Sequence, residues 1–152
     1  MLTFKKILCP IDFSEPSYEA LKMANELALH FSSELVVLHV VAPVPLVPAA
    51  TVPVTFNVLE YQQELEISAK KMLEDVVKQK VPKEIWVRTS VVLGEPADRI
   101  VKIADEEKVD LIVIATHGQT GWRRLVVGSV TEKVVRLTPQ PVLTIRAPLT
   151  EV

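Results

Sequence analysis

Gly118, Gly121 and Gly128 are three of only four glycines in the chain, and they stand together in the stretch that runs from His117 to Ser129. This stretch follows an apolar run, Asp110 to Ile114, and precedes a helical pattern that opens at Ser129. Glycine has no Cβ, so backbone N–H groups in such a loop can approach a ligand closely and visit positive φ. The helix that follows adds unpaired amide donors and the positive end of its dipole. Together these make the chemistry of a phosphate site, and hence of nucleotide binding. A second strand-to-helix loop, Pro10-Ile11-Asp12-Phe13-Ser14, offers a carboxylate. A carboxylate suits ribose hydroxyls and repels phosphate. If the two loops flank one crevice, they divide a nucleotide between them.

Each candidate also has a plainer reading. Asp12 suits the cap of the first helix as well as a ribose contact. Ser129-x-x-Glu132 has the spacing of a capping box. Because a capping residue can still donate its backbone N–H to phosphate, the two roles overlap at Ser129. Gly118 and Gly121 can serve a tight loop, and His117 can shape that loop or touch phosphate. Arg123 and Arg124 read as a solvated pair. Trp122 packs on the body or stands beside a ligand. His39, inside an apolar run, reads as a packed core histidine, and His30 suits the end of the first helix. Cys9 lies on a buried strand with no neighbour in sequence to lower its pKa, and reads as inert.

The elements that must position these loops follow from periodicity. Lys5 to Pro10 reads as a short buried strand. Ser14-Glu15-Pro16 opens a helix carrying Ala20, Leu21, Ala24, Leu27, Ala28 and Phe31. Glu34 to Val41 is near-continuously apolar, as in a parallel strand covered on both faces. Asn57 caps a helix that runs to about Lys80 and is stopped by Pro82. Ile85 to Val92 is a strand, Gly94-Glu95-Pro96 turns into a helix, Asp110 to Ala115 is a strand, Ser129 to Leu137 a helix, and Pro141 to Arg146 a strand. Regular alternation of this kind predicts an α/β doubly wound fold: one domain, residues 1–152, with a five-stranded parallel sheet and helices on both faces, Rossmann-like. Ligands in such folds bind at the carboxyl ends of the strands, where strand order reverses.

Neither G-x-x-x-x-G-K-[ST] nor G-x-G-x-x-G occurs. The spacing is instead Ala115-Thr116-His117-Gly118, nine residues, then Gly128-Ser129. This resembles the universal stress protein family, whose ATP-binding members carry G-x-x-G, nine residues, then G-[ST]. The resemblance spans nearly the whole chain, including Ile7 to Ser14, the strand ending in His39-Val40, and Pro141 to Ile145. It implies an adenine nucleotide alpha-hydrolase-like fold and an ATP or AMP site acting in stress sensing or regulation. Pro10, Ile11 and Asp12 would border the adenosine, and Val40 would meet adenine through its backbone. Gly118, Gly128, Ser129 and Val130 would surround the phosphates, and Ala115, Thr116, His117, Gly121 and Thr131 would complete the nucleotide-binding set. Magnesium can enter with ATP, held mainly by those phosphates. One departure stands out: Ala115 replaces the motif's first glycine, placing a methyl where backbone and phosphate approach. The resemblance also implies a homodimer built partly by the last strand, 141–146, which is short, apolar and suited to an edge that needs covering.

The bulk properties narrow the alternatives. The chain has 152 residues, a net charge of -2 and a pI near 5.9, which gives no reason to expect a nucleic-acid partner. No run is long and unbroken enough for a membrane helix. A single cysteine excludes an internal disulfide and suits a reduced, cytoplasmic setting. Met1 to Lys6 is too short and too charged for a secretory signal. Three scattered histidines and one cysteine show no metal-ligand spacing. No nucleophile, base and orienting group can be assembled, so the expectation is a binding protein with at most slow ATP hydrolysis. The rival from another class is a nucleotide-free dimeric interaction module of the same fold. It would use the apolar proline-rich loop 43–54 (Pro43, Pro45, Pro48 and Pro53 among valines) to meet an unknown protein partner. A nucleotide hydrolase or adenylyl-transferring enzyme ranks behind both.

Overall fold

The computed structural model describes residues 3–45, 48, 50, 57–117 and 127–147. The elements run β1 (Lys6–Pro10), α1 (Glu15–Phe31), β2 (Glu34–Val41), α2 (Val58–Lys80), β3 (Val87–Leu93), α3 (Pro96–Glu106), β4 (Leu111–Ala115), α4 (Ser129–Leu137) and β5 (Val142–Ile145). All strand pairs are parallel, in the order β3-β2-β1-β4-β5. Strand order therefore reverses between β1 and β4, which leave the sheet side by side.

Alternation along the buried strands divides the core into two layers. Ile7, Cys9, Val37 and Val113 pack beneath α1 and α2 with Leu21, Ala24 and Leu73. Leu8, Val36, Leu38, Ile112 and Ile114 pack beneath α3 and α4 with Ile100, Ala104 and Val134. The four residues Leu35 to Leu38 are all buried, as expected of a strand covered on both faces. Cys9 is fully buried, and that burial pushes its thiol well above the usual range. The inert reading therefore stands on its surroundings as well as on its neighbours in sequence.

Several boundaries moved for local reasons. β3 starts at Val87 rather than Ile85, because the Ile85 amide closes a turn on the Pro82 carbonyl at 3.2 Å. β1 starts at Lys6, and β5 is four residues rather than six. Ser14, not Asp12, caps α1: its hydroxyl oxygen accepts from the Ser17 amide at 3.3 Å. At α4 the capping-box reading of Ser129 fails, because Gly128 is the cap and Ser129 the first helical residue. Asn57 does cap α2, its Oδ1 accepting from the Leu59 and Glu60 amides. Only Ala69 and Leu73 of α2 are buried, and Leu59, expected among its apolar residues, is 73% exposed.

Gly94 turns β3 into α3 with φ +145, and its amide donates to the Val41 carbonyl at 3.0 Å. A Cβ there would also stand 2.7 Å from Cγ of Arg99. Gly94→Ala is expected to cost about 1–3 kcal/mol, read as a lower urea midpoint. An unchanged midpoint would mean the turn adopts another conformation in solution.

At the opposite, amino end of the sheet, Arg88 pairs with Glu34 and, at 2.6 Å, with Glu107, while Lys6 reaches Glu107 at 3.2 Å. The Arg88 hydrogen bond, then that of Lys6, holds the Glu107 carboxyl below its ordinary range. A lowered folded-state pKa stabilises the fold above the unfolded carboxylate value, and the contribution is lost as pH falls through the folded value. Wild type should therefore lose more stability than Arg88→Ala on acidification from neutral pH, measured as paired urea titrations. Parallel loss in both would contradict this.

Candidate functional site

The reversal point of the sheet opens into a cleft of about 280 Å³, near the lower bound of small-molecule pockets. Its walls come from four places. Pro10, Ile11 and Asp12 leave β1; Leu38 and Val40 end β2; Ile114, Ala115, Thr116 and His117 leave β4; Gly128, Ser129, Val130 and Thr131 open α4. Pro96 and Ile100 of α3, with Ser17 of α1, complete the lining. Two loops distant in sequence thus face one crevice, as the topology of a doubly wound sheet requires.

The β4-to-α4 side is shaped by backbone proximity. The Gly128 amide donates to the Thr116 carbonyl at 2.6 Å, and a Cβ on Gly128 would stand 3.0 Å from that same oxygen. Gly128 has φ -58, so it is close approach rather than backbone conformation that demands glycine here. A glycine cap also brings no side chain to the first-turn amides of α4, which leaves the positive end of the helix dipole facing the cleft. Thr131, buried, donates its hydroxyl to the Ala115 carbonyl at 2.6 Å and ties the first turn of α4 to the end of β4. Lys133 pairs with Asp98 at 2.9 Å and Glu95 at 3.2 Å, which ties α4 to the start of α3.

Ala115 packs with Val113 and Ile11 in the layer under α1 and α2, while its neighbour Ile114 faces α3 and α4. It is not among the residues with positive φ. Its methyl therefore belongs to the α1-side core, and the backbone conformation makes no demand for glycine. Ala115 also lines the cleft, so it stands both in this core layer and at the candidate site.

Among the described residues, Asp12 is the one carboxylate in the cleft lining. Its Oδ1 accepts from the Ser14 amide at 3.0 Å and from the Ser14 hydroxyl. Asp12 thus braces the capping residue while standing at the cleft. His39 is half-buried rather than a core residue: its ring sits on Phe13 with centroids 4.4 Å apart, and its Nδ1 lies 2.8 Å from the Ile11 carbonyl. His117 lines the cleft and hydrogen-bonds Thr116 Oγ1 at 3.0 Å.

Eleven of the anticipated site residues thus line the cleft: Pro10, Ile11, Asp12, Val40, Ala115, Thr116, His117, Gly128, Ser129, Val130 and Thr131. Gly118 and Gly121 lie outside the described residues, as do Trp122, Arg123 and Arg124 and most of the loop 43–54. The apolar residues Leu38, Pro96, Ile100 and Ile114 were not anticipated in the lining. Leu38 was open to inference, because it shares a strand face with Val40. Pro96 and Ile100 carried no such signal, since only packing brings α3 over the strand ends. Among the described residues, no group of three or more His, Cys, Asp or Glu could hold a metal ion, and no helix is long and apolar enough to cross a membrane.

Comparison with known proteins agrees with this geometry. The universal stress protein family matches residues 3–146. The chain is 32% identical to universal stress protein MJ0577 of Methanocaldococcus jannaschii, over 94% of this chain and 95% of that one. A solved structure of MJ0577 superposes with a TM-score of 0.82, covering 98% of this chain and all of the other. Two more distant structures share the fold. One is a universal stress protein from Archaeoglobus fulgidus in complex with dAMP (23% identity, TM-score 0.64, covering 95% and 99% of the two chains). The other is a universal stress protein in complex with cAMP (19%, 0.68, 95% and 98%). A match that spans almost every element places the chain in the universal stress protein family.

Proposed function

We propose that the cleft binds an adenine nucleotide, ATP or AMP, and that its occupancy lets the protein sense or regulate a stress response in the cytoplasm. The observation that carries the reading is the convergence of one carboxylate, an apolar floor and an uncapped helix start in a single cleft. Adenosine would lie along Pro10, Ile11, Asp12 and the Val40 backbone. The phosphates would lie among residues 115–118, Gly121 and residues 128–131, with magnesium held by the phosphates. The dAMP and cAMP bound by distant relatives support an adenine ligand. The reading is of a binding protein with at most slow ATP hydrolysis.

The test is calorimetry of nucleotide-stripped protein with MgATP and then with AMP. Micromolar ATP binding is the expected result. Binding of AMP alone would restrict the site to the adenosine half. Absence of heat with both, from folded and empty protein, would overturn the reading and favour the interaction module built around loop 43–54.

The same reading includes a homodimer through residues 141–146. The Ile112 amide donates to the Pro141 carbonyl and the Thr116 amide to the Ile145 carbonyl, both at 2.9 Å. Backbone groups alternate sides along a strand, so those of Val142 and Thr144 point to the open edge. Proline at both positions removes outward donors while keeping these two bonds to β4. Sedimentation should then show monomers, and persistent dimers would place the interface elsewhere.

A further inference from the structure

We propose that His39 is a positioning residue for the Asp12 carboxylate, and that it thereby sets how the cleft recognises ribose. This rests on the nucleotide reading above. The loop carrying Asp12 is held by the end of β2 and not only by its own turn. The Ile11 amide donates to the Leu38 carbonyl at 2.8 Å, and the Ile11 carbonyl lies 2.8 Å from His39 Nδ1. Both backbone groups of Ile11 are thus engaged by consecutive residues of β2. A carbonyl only accepts, so Nδ1 carries the proton, and the neutral ring is the Nδ1–H tautomer with Nε2 as its acceptor.

The same ring supports Phe13. Phe13 adopts φ +64, a left-handed conformation that an aromatic residue keeps only where its surroundings hold it. Its ring stacks on His39 at 4.4 Å with a 40° tilt. Asp12 lies between these two held residues, and its Oδ1 takes the amide and hydroxyl of Ser14. His39 grips the residue before Asp12 by a hydrogen bond and the residue after it by a ring contact. Without it, the Ile11–Asp12 peptide loses its carbonyl partner and the Phe13 backbone can relax, so the peptide units on either side of Asp12 are free to turn.

The experiment compares AMP with 2′,3′-dideoxy-AMP on wild type, His39→Phe, His39→Asn and Asp12→Ala. Phenylalanine keeps a ring and removes the donor, while asparagine restores an amide N–H near the Nδ1 position. Wild type should prefer AMP by about tenfold or more, the range of a hydrogen bond to a charged group. Asp12→Ala should bring the ratio near unity. His39→Phe should cut it at least about fivefold while dideoxy-AMP affinity stays within about twofold, and His39→Asn should recover most of it. An unchanged ratio in His39→Phe, equal loss for both ligands, or no recovery in His39→Asn would each overturn the proposal. The latch has a ligand-free readout, exchange of the Ser14 amide proton, expected to speed up by about tenfold in His39→Phe. Should wild type bind neither nucleotide, the nucleotide reading and the ribose role fall together, and exchange alone decides the latch. Should His39→Phe not fold, His39→Gln takes its place, with an intermediate ratio expected and an unchanged one overturning.

Discussion

Gly128→Val is expected to weaken the proposed adenine-nucleotide binding by at least about 100-fold, close to 3 kcal/mol. The first atom of any side chain at 128 already meets the Thr116 carbonyl oxygen at 3.0 Å. Valine adds two methyl groups at the same place, where the neighbour is backbone and cannot swing aside. The start of α4 must then move away from the end of β4, and the 2.6 Å bond from the Gly128 amide is lost. Both sides of this contact line the cleft, so the displacement misplaces the first-turn amides of α4 relative to Thr116 and His117. Overpacking should cost about 1–3 kcal/mol of stability as well. Calorimetry therefore has to be paired with thermal unfolding followed by circular dichroism. A folded variant that binds within threefold of wild type would falsify the claim that this close approach shapes the site.

Ile112→Ala should cost about 2–5 kcal/mol, a large part of the 5–15 kcal/mol typical of a whole domain. Ile112, the second residue of β4, is fully buried, opposite Leu8 on one side and Val142 on the other. It packs in the layer roofed by α3 and α4. Truncation removes buried apolar surface and leaves a cavity bounded by a hydrogen-bonded sheet that can collapse only partly. Urea unfolding would read the loss as a lower midpoint with an unchanged slope. A loss below about 1 kcal/mol would mean that neighbouring side chains refill the space.

The element order was legible because the local signals were strong and agreed. Pro96 after Glu95, Asn57 before α2 and the four-residue apolar centre of β2 each follow from chemistry within a few residues. The cleft was legible for a related reason: the chemistry-bearing residues sit just past strand ends, where a parallel sheet must present them. What failed was finer. Ser129 has the spacing of a capping residue, but the turn from β4 enters α4 one residue earlier, at Gly128. His39 reads as core by its neighbours in sequence, yet it stands where β2 leaves the core and meets the β1–α1 loop.

The sequence by itself determined the alternation of strands and helices, the parallel sheet and the two loops that could hold a nucleotide. These depend on hydrophobic period, caps and breakers, all of which act over short stretches of chain. Tertiary structure alone decided that β1 and β4 are neighbours, that α3 supplies Pro96 and Ile100 to the cleft, and that Ala115 joins the α1-side core while lining the cleft. It also decided that His39 holds the loop of Asp12 from a different strand. Those facts depend on which faces meet across the sheet, and no local pattern in the chain carries that information.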